Sequence, residues 1–76
     1  MTSESLVLLG QRIRQRRKAL GLTQEELAHK AKLDRSYIGG VERGERNITF
    51  VRLCQLCRGL RCDIAEITTD IPEQQK

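Results

Sequence analysis

A chain of 76 residues has room for one small domain, so residues 1–76 are interpreted as a single domain. Aromatic side chains are scarce (Tyr37, Phe50 and no Trp), which argues against base-stacking platforms for RNA or single-stranded DNA. The net charge of +4 is uneven, because residues 1–62 carry thirteen Lys and Arg against six Asp and Glu, whereas residues 63–76 carry one against four. The basic part is compatible with a polyanionic partner.

The cysteines and the apolar runs bear on where the protein is found. Three cysteines without a secretory signal favour a reducing compartment, which we interpret as the cytoplasm. The apolar run near the start, residues 6–9, is too short for a signal segment or a membrane span. We therefore expect a soluble cytoplasmic protein with no membrane partner.

The first predicted helix spans residues 5–20. Its apolar residues recur at spacings of three, four and seven, which is the helical period. Arg17 lies on the same stripe, and because an unpaired buried charge is costly, we expect it to have a partner. Gly21 is expected to close the helix. The stripe consists of Leu6, Leu9, Ile13 and Leu20, and the basic residues expected on the solvent side are Arg12, Arg14, Arg16 and Lys18.

Two short helices follow in direct succession. Residues 23–26, with the sequence TQEE, form a predicted capping box that opens the second helix. Asp34 is a suitable N-cap for a third helix over residues 35–43. The pair, over about residues 23–43, has the layout of a helix-turn-helix. In that arrangement the second helix lies across the DNA backbone, and the third enters the major groove.

The last two predicted helices are unusually apolar. Thr49 is expected to cap the fourth helix, about residues 50–59, and Asp63 with Glu66 to open the fifth. No strand pattern is present, so the predicted fold is an all-α bundle of five helices. The helices over about residues 50–71 carry more apolar surface than one small core needs, which predicts a homodimer. The expected interface residues are Cys54, Cys57, Ile64, Ile67 and Ile71.

The third helix carries the candidate base contacts. Arg35 and Ser36 at its start are expected to meet base edges, with a solvated surface charge as the alternative for Arg35. Tyr37 is expected to have its ring partly in the core and its hydroxyl near a phosphate. Each glycine of the Gly39-Gly40 pair costs about 1 kcal/mol in a helix relative to alanine. Close approach to DNA at Gly39 and tight packing against the second helix both remain open as explanations.

Residues flanking this helix supply candidate phosphate contacts. The Gln24 amide is expected to contact a phosphate, or alternatively only to support the capping region. Arg43, Arg46 and Asn47 are also placed for phosphates, and Arg46 has a base contact as a further alternative. Glu42, at the border of the apolar face, is expected to form a structural ion pair with Arg17.

Several segments together carry a resemblance to a known family. They are Ile13-Arg14 with Arg17, Gly21–Ala28, Ser36–Ile38, Glu42–Gly44 and Leu53–Leu60. In these segments the chain resembles the Cro/CI-type (Xre-like) helix-turn-helix regulators of bacteria and phages. The resemblance implies a lambda repressor-like five-helix domain that binds palindromic operators in double-stranded DNA as a dimer.

The short length and the run LDRSYIGGVERGERNIT are most similar to the controller proteins of restriction–modification systems. This narrower resemblance implies an autoregulatory activator and repressor, with RNA polymerase as a further partner. The Gly39-Gly40 pair departs from the commoner family pattern, which has a larger residue at one of the two positions.

Other classes of function find less support in the sequence. The sequence contains no Gly-rich phosphate loop and no nucleophile with an adjacent base, so nothing in it indicates an enzyme. Neither a cofactor nor a small-molecule ligand is evident. Cys54, Cys57 and Cys62 lack a suitably placed fourth ligand, since His29 lies on the outer face of its helix, so we expect no metal. An antitoxin that also neutralises a partner protein is the main alternative, and an adaptor that binds only proteins is another.

Overall fold

Five α-helices make up the part of the protein that the computed structural model describes, residues 3–72, and no strand occurs in that part. The all-α prediction is confirmed, and the boundaries differ from the predicted ones by only a few residues. Residues 1–2 and 73–76, the ends of the predicted domain, lie outside the described residues. The helices are α1 (Glu4–Ala19), α2 (Gln24–Ala31), α3 (Arg35–Glu42), α4 (Phe50–Gly59) and α5 (Ile64–Thr68).

A single apolar cluster holds the five helices together. α2 packs against both α3 and α4, while α1 packs against α3 and α5. Leu20 was predicted to lie on the apolar stripe of the first helix. That prediction was wrong, because Leu20 follows the last turn of α1 and is 40% exposed. The largest fully buried side chains, contributed by four of the helices and the end of α4, are Ile13, Leu27, Ile38, Leu56 and Leu60.

Local hydrogen bonds fix the starts of the helices. The Thr23 hydroxyl accepts from the Glu26 N–H at 3.1 Å, and the Glu26 carboxylate accepts from the Thr23 N–H at 2.9 Å, so the predicted capping box is confirmed. The bond from the Thr23 backbone lowers the pKa of Glu26. At the start of α4 the Thr49 hydroxyl accepts from the Arg52 N–H at 3.2 Å, so the predicted cap is present there as well. Asp34 occupies the N-cap position of α3, but its side chain makes no capping hydrogen bond.

The close approach of α1 to α3 depends on two glycines that the sequence analysis did not single out. A Cβ at position 10 would overlap the Val41 carbonyl oxygen and lie 2.6 Å from that of Glu42. At Gly44 the φ angle is +76°, and a Cβ there would lie 2.7 Å from the Val7 Cα. Backbone therefore lies directly against backbone along this contact, which fixes the position of α3 relative to α1.

Two arginines of α1 hold the C-terminal ends of the later helices. Arg16 donates to the carbonyl oxygens of Leu60 at 3.0 Å and Arg61 at 2.9 Å, and Arg12 donates to that of Ile67 at 3.4 Å. Their predicted position on the solvent side was wrong, because both are half-buried. Each guanidinium supplies donors to carbonyls that have no partner within their own helix and places positive charge at the negative end of the helix dipole.

No helix within residues 3–72 is long and apolar enough to cross a membrane.

Candidate nucleic-acid interface

An ion pair behind α3 joins it to α1. The Arg17 Nε lies 2.6 Å from Glu42 Oε2, and its Nη2 lies 3.0 Å from Oε1. Its Nη1 donates to the Leu22 carbonyl oxygen at 2.8 Å. Both charged residues are 8% exposed, and the hydrogen bonds that Arg17 donates to Glu42 raise the pKa of Arg17. The structure thus contains the ion pair expected from the sequence, with the guanidinium satisfied on three sides.

Gln24, the first residue of α2, is tied into the same network. Its Nε2 donates to Glu42 Oε1 at 3.1 Å, so one carboxylate holds both Arg17 and the Gln24 amide. The side chain is half-buried. Its position is therefore set by α3 as well as by its own helix, so that a group at the N-terminus of α2 is held in register with α3.

The outer side of α3 carries exposed polar side chains. Arg35 and Ser36 at its N-terminus are exposed, and so is Arg43 at its C-terminus. Arg35 Nε lies 3.9 Å from Glu25 Oε1, and Arg43 Nε lies 3.0 Å from Glu45 Oε1. Pairs this exposed contribute little stability, because water and salt screen them. Their guanidinium groups can exchange these carboxylates for another anion at small cost.

Tyr37 is more buried than the sequence suggested, at 8% exposed. Two guanidinium groups lie over its ring, with Cζ of Arg46 at 5.2 Å and Cζ of Arg52 at 4.7 Å from the ring centroid. Both distances are within the range of cation–π contacts. The sequence analysis missed Arg52 entirely, because it belongs to α4 and no local pattern relates it to α3. Asn47 lies exposed in the connection between α3 and α4.

Arginine side chains lie close to both positions of the Gly39-Gly40 pair. A Cβ at Gly39 would lie 3.1 Å from Arg43 Nη1 and 3.7 Å from Gln24 Oε1. A Cβ at Gly40 would lie 2.9 Å from Cγ of Arg46. Gly40 therefore leaves room for the Arg46 side chain, which neither of the two proposed explanations included, whereas the Arg43 Nη1 near Gly39 is the end of a flexible side chain that can shift by a few tenths of an ångström.

Comparison with known proteins is consistent with this geometry. A helix-turn-helix family model matches residues 13–67. The control protein C.SmaI of Serratia marcescens is 39% identical over 62 residues, which cover 82% of this chain and 74% of the relative. The chain belongs to the helix-turn-helix family of controller proteins. This membership confirms the predicted family, and it confirms that the protein is a regulator and not an enzyme.

Solved controller proteins have the same fold. The crystal structure of the restriction–modification controller protein C.AhdI from Aeromonas hydrophila is 48% identical, with a TM-score of 0.84 over 86% of this chain and 98% of that chain. C.Esp1396I, solved as a tetramer in complex with its natural 35 base-pair operator, is 38% identical, with a TM-score of 0.81 over 86% of each chain. The antitoxin interpretation finds no support among these controller proteins.

Two residues of the predicted dimer interface require correction. Cys57 is 4% exposed and Ile67 is 3% exposed, and both belong to the core of this controller protein. Because a single chain already buries them, a second chain could cover almost none of their surface. The other three, Cys54, Ile64 and Ile71, are half-buried. Within residues 3–72, Phe50 and Val51, at 69% and 68%, are the most exposed large apolar residues, and neither was among the expected interface residues.

The cysteines belong to the interior and its margin. Burial raises the pKa of the Cys57 thiol to about 12, so at neutral pH it stays protonated. Burial also raises the pKa of Cys62. Within residues 3–72, no group of three or more His, Cys, Asp or Glu side chains is arranged to hold a metal ion. These thiols act as small apolar side chains in the fold.

Proposed function

We propose that this protein binds a palindromic operator in double-stranded DNA and regulates the genes of a restriction–modification system, including its own. The observation that carries the proposal is the position of Arg35 and Ser36. Both are exposed at the N-terminus of α3, while the opposite side of that helix is buried and locked to α1 by Arg17 and Glu42. A helix held in this way can enter the major groove with its first residues at the base edges.

The roles of the individual residues follow from that docking. Arg35 is proposed to donate two hydrogen bonds to a guanine, and Ser36 to donate or accept at a neighbouring base edge. Arg43, Arg46 and Asn47 are proposed to contact phosphates on one side of the groove. On the other side we propose the Gln24 amide, because Glu42 holds it at the N-terminus of α2.

Similarity to C.Esp1396I supports the proposed ligand, because that controller protein was solved on its operator. A protein that acts on a bacterial genome works in the cytoplasm, where we place it. Activation of transcription would require contact with RNA polymerase, which we propose as a further partner. In vitro transcription from the protein's own promoter region, with and without the protein, tests whether it activates, represses or does both.

The test of DNA recognition is selection of bound sequences from random duplex DNA, followed by affinity measurements on the selected site. We expect a short palindrome and tight, strongly salt-dependent binding. Arg35→Ala should lose about 1–3 kcal/mol of discrimination at one base pair of each half-site. Arg14→Ala, an exposed arginine of α1, is the matched control and should leave discrimination unchanged. Sequence-independent binding by the unchanged protein would contradict the proposal.

We also propose that the protein acts as a homodimer through apolar side chains of α4 and α5. The support is the exposure of Phe50 and Val51 next to the half-buried Cys54, with Ile64 and Ile71 on α5 as further candidates. Large exposed apolar side chains favour association. A twofold pairing would place two α3 helices about 34 Å apart, which is one turn of DNA.

Sedimentation at micromolar concentration tests the dimer. The double variant Phe50→Glu with Val51→Glu should sediment as a folded monomer and bind the operator much more weakly. Leu20→Glu is the matched control, because it also replaces an exposed large apolar side chain with Glu, but at the end of α1. A dimer that survives the double change would exclude the start of α4 from the interface.

A further inference from the structure

The ring of Tyr37 brings together two cations from different parts of the chain. Arg46 comes from the connection after α3, and Arg52 comes from the first turns of α4. Their Cζ atoms lie 5.2 Å and 4.7 Å from the same ring centroid, so the two guanidinium groups are at most about 10 Å apart by the sum of these distances. Like charges at this distance repel, and the negative face of the ring offsets part of that repulsion.

Neither of these guanidinium groups has a carboxylate partner within residues 3–72. There the ion pairs are Arg17 with Glu42, Arg35 with Glu25 and Arg43 with Glu45. Arg46 and Arg52 are exposed to solvent. A pair of uncompensated positive charges, held next to the recognition helix by a buried ring, is a site with a net preference for an anion.

The position of Arg52 on its own helix strengthens this preference. It lies three residues after the N-cap Thr49, whose hydroxyl accepts from the Arg52 N–H at 3.2 Å. The first turn of α4 contains no acidic residue. A positive side chain there adds to the positive end of the helix dipole, which disfavours it unless an anion is bound nearby.

We propose that Arg52 is a further phosphate-binding residue of the DNA face, and that the Tyr37 ring positions it together with Arg46. This inference rests on the proposed DNA-binding function and adds a contact from α4 to the contacts from α2 and α3. The two arginines bind neighbouring phosphates of one strand as point charges, so they raise affinity for any duplex sequence and do not change base preference. Tyr37 is a positioning residue in this respect.

Gly40 is part of the same arrangement. The Arg46 side chain crosses α3 directly over it, so that a Cβ would lie 2.9 Å from Cγ and 3.4 Å from Cδ of Arg46. Only a residue without a side chain lets Arg46 lie this close to the helix while its guanidinium reaches Tyr37. The glycine that the sequence left unexplained therefore serves the placement of a cation.

The test measures binding to a duplex at several salt concentrations for Arg52→Gln and for Arg58→Gln. Arg58 is an exposed arginine on the same helix and is not over the ring, so it is the matched control. Log affinity falls linearly with log salt, and each phosphate contact makes that slope steeper by about 0.9. We expect Arg52→Gln to reduce that slope by about one. Over a fourfold rise in salt, the loss of affinity should be smaller than that of the unchanged protein by a factor of about 3.5 to 4.

A second pair of variants tests the ring. Tyr37→Leu removes it, whereas Tyr37→Phe removes only the hydroxyl, and circular dichroism checks that both fold. Adding Arg52→Gln should lower the salt slope in the Phe background and have much less effect in the Leu background. Equal effects in both backgrounds would overturn the positioning role of Tyr37.

The results separate the inference from the function on which it rests. If the unchanged protein binds DNA with a steep salt dependence and Arg52→Gln has the same slope, Arg52 makes no phosphate contact and the inference alone fails. If the unchanged protein does not bind duplex DNA, both the proposed function and the inference fail. A change of base preference in Arg52→Gln would also contradict a phosphate contact.

Discussion

Arg17 and the pair Arg46 and Arg52 contact different residues of α3, and they differ in burial and in partner. Arg17 is buried between α1 and α3, where a carboxylate and a backbone carbonyl accept all of its short hydrogen bonds. Arg46 and Arg52 are exposed and lie over an aromatic ring with no carboxylate partner within residues 3–72. Desolvation and the presence of a partner together decide whether a guanidinium stabilises the fold or stays available to a ligand.

Removing the carboxylate partner of the buried Arg17 should have the largest effect on stability. Glu42→Ala leaves the Arg17 charge buried without its partner and should lower the free energy of unfolding by about 3–5 kcal/mol. Urea titration followed by circular dichroism measures it. Glu45→Ala is the control, because Glu45 pairs with an exposed arginine and should change stability by at most about 1 kcal/mol. Equal losses of stability in the two variants would show that the buried and the exposed ion pair contribute alike.

The buried Arg17–Glu42 pair also depends on the distance between α1 and α3. Gly10→Ala forces its Cβ against the carbonyl oxygens of Val41 and Glu42, so the helices must move apart and strain the Arg17–Glu42 pair. We expect a loss of about 1–3 kcal/mol in the free energy of unfolding. Gln11→Ala, at an exposed position of the same helix, should be neutral or slightly stabilising. A stable Gly10→Ala variant would mean that this contact tolerates separation.

Replacing an N-cap residue should have a smaller effect on stability, and its size should depend on whether the side chain makes a capping hydrogen bond. Thr23→Ala removes a hydroxyl that accepts from Glu26 and should cost about 1 kcal/mol in thermal or urea unfolding. Asp34→Ala, at an N-cap whose side chain makes no such bond, should cost less. If Asp34→Ala proves the more damaging variant, its carboxylate must act on α3 through the helix dipole.

The same cap predicts a dependence on pH. The pKa of Glu26 is lowered in the folded state, so its contribution is present above the unfolded value of 4.5 and is lost as the pH falls through the folded value. The stability difference between the unchanged protein and Glu26→Gln should therefore be constant at neutral pH and shrink below pH 4.5. A constant difference down to acid pH would show that the carboxylate charge has no part in the cap.

The smallest effect is expected where the exposed arginines already have acidic partners. Glu45 lies 3.0 Å from Arg43 and would compete with the phosphate proposed for it, so Glu45→Gln should raise affinity for any duplex by at most about fivefold. The gain should disappear at high salt, which screens exposed pairs. Fluorescence anisotropy at two salt concentrations measures it, and an unchanged affinity would show that this pair breaks without cost.

The features that the sequence predicted correctly are those with local signals. Helix boundaries follow from the period of the apolar residues and from caps such as Thr23 and Thr49, which act over three or four residues. The Arg17–Glu42 pair was also predictable, although the residues are 25 apart, because a charge on an apolar stripe requires a partner and Glu42 lies at the border of the apolar face of α3. The exposed position of Arg35 and Ser36 followed from the apolar side of the same short helix.

The features that were missed depend on how the helices cross. Apolar periodicity marked Cys57 and Ile67 as apolar but did not tell which apolar surface the chain itself covers, so both were assigned to a dimer interface although they lie in the core. Likewise, nothing in the composition of α1 indicates that Arg12 reaches the carbonyl of Ile67, 55 residues away. Such contacts arise only when the packing of other side chains has set the angle between two elements.

The number and approximate ends of the helices, the helix-turn-helix and the family were predictable from the sequence alone, because these depend on short-range periodicity, capping and a small set of spaced residues. Which residues share the proposed DNA face depends instead on the tertiary structure. Tyr37 and Arg52 are 15 positions apart on different helices, and they meet because the cores of α2, α3 and α4 pack in one particular arrangement. Close packing of those cores allows few crossing angles, and the selected one brings a buried ring beneath two exposed cations.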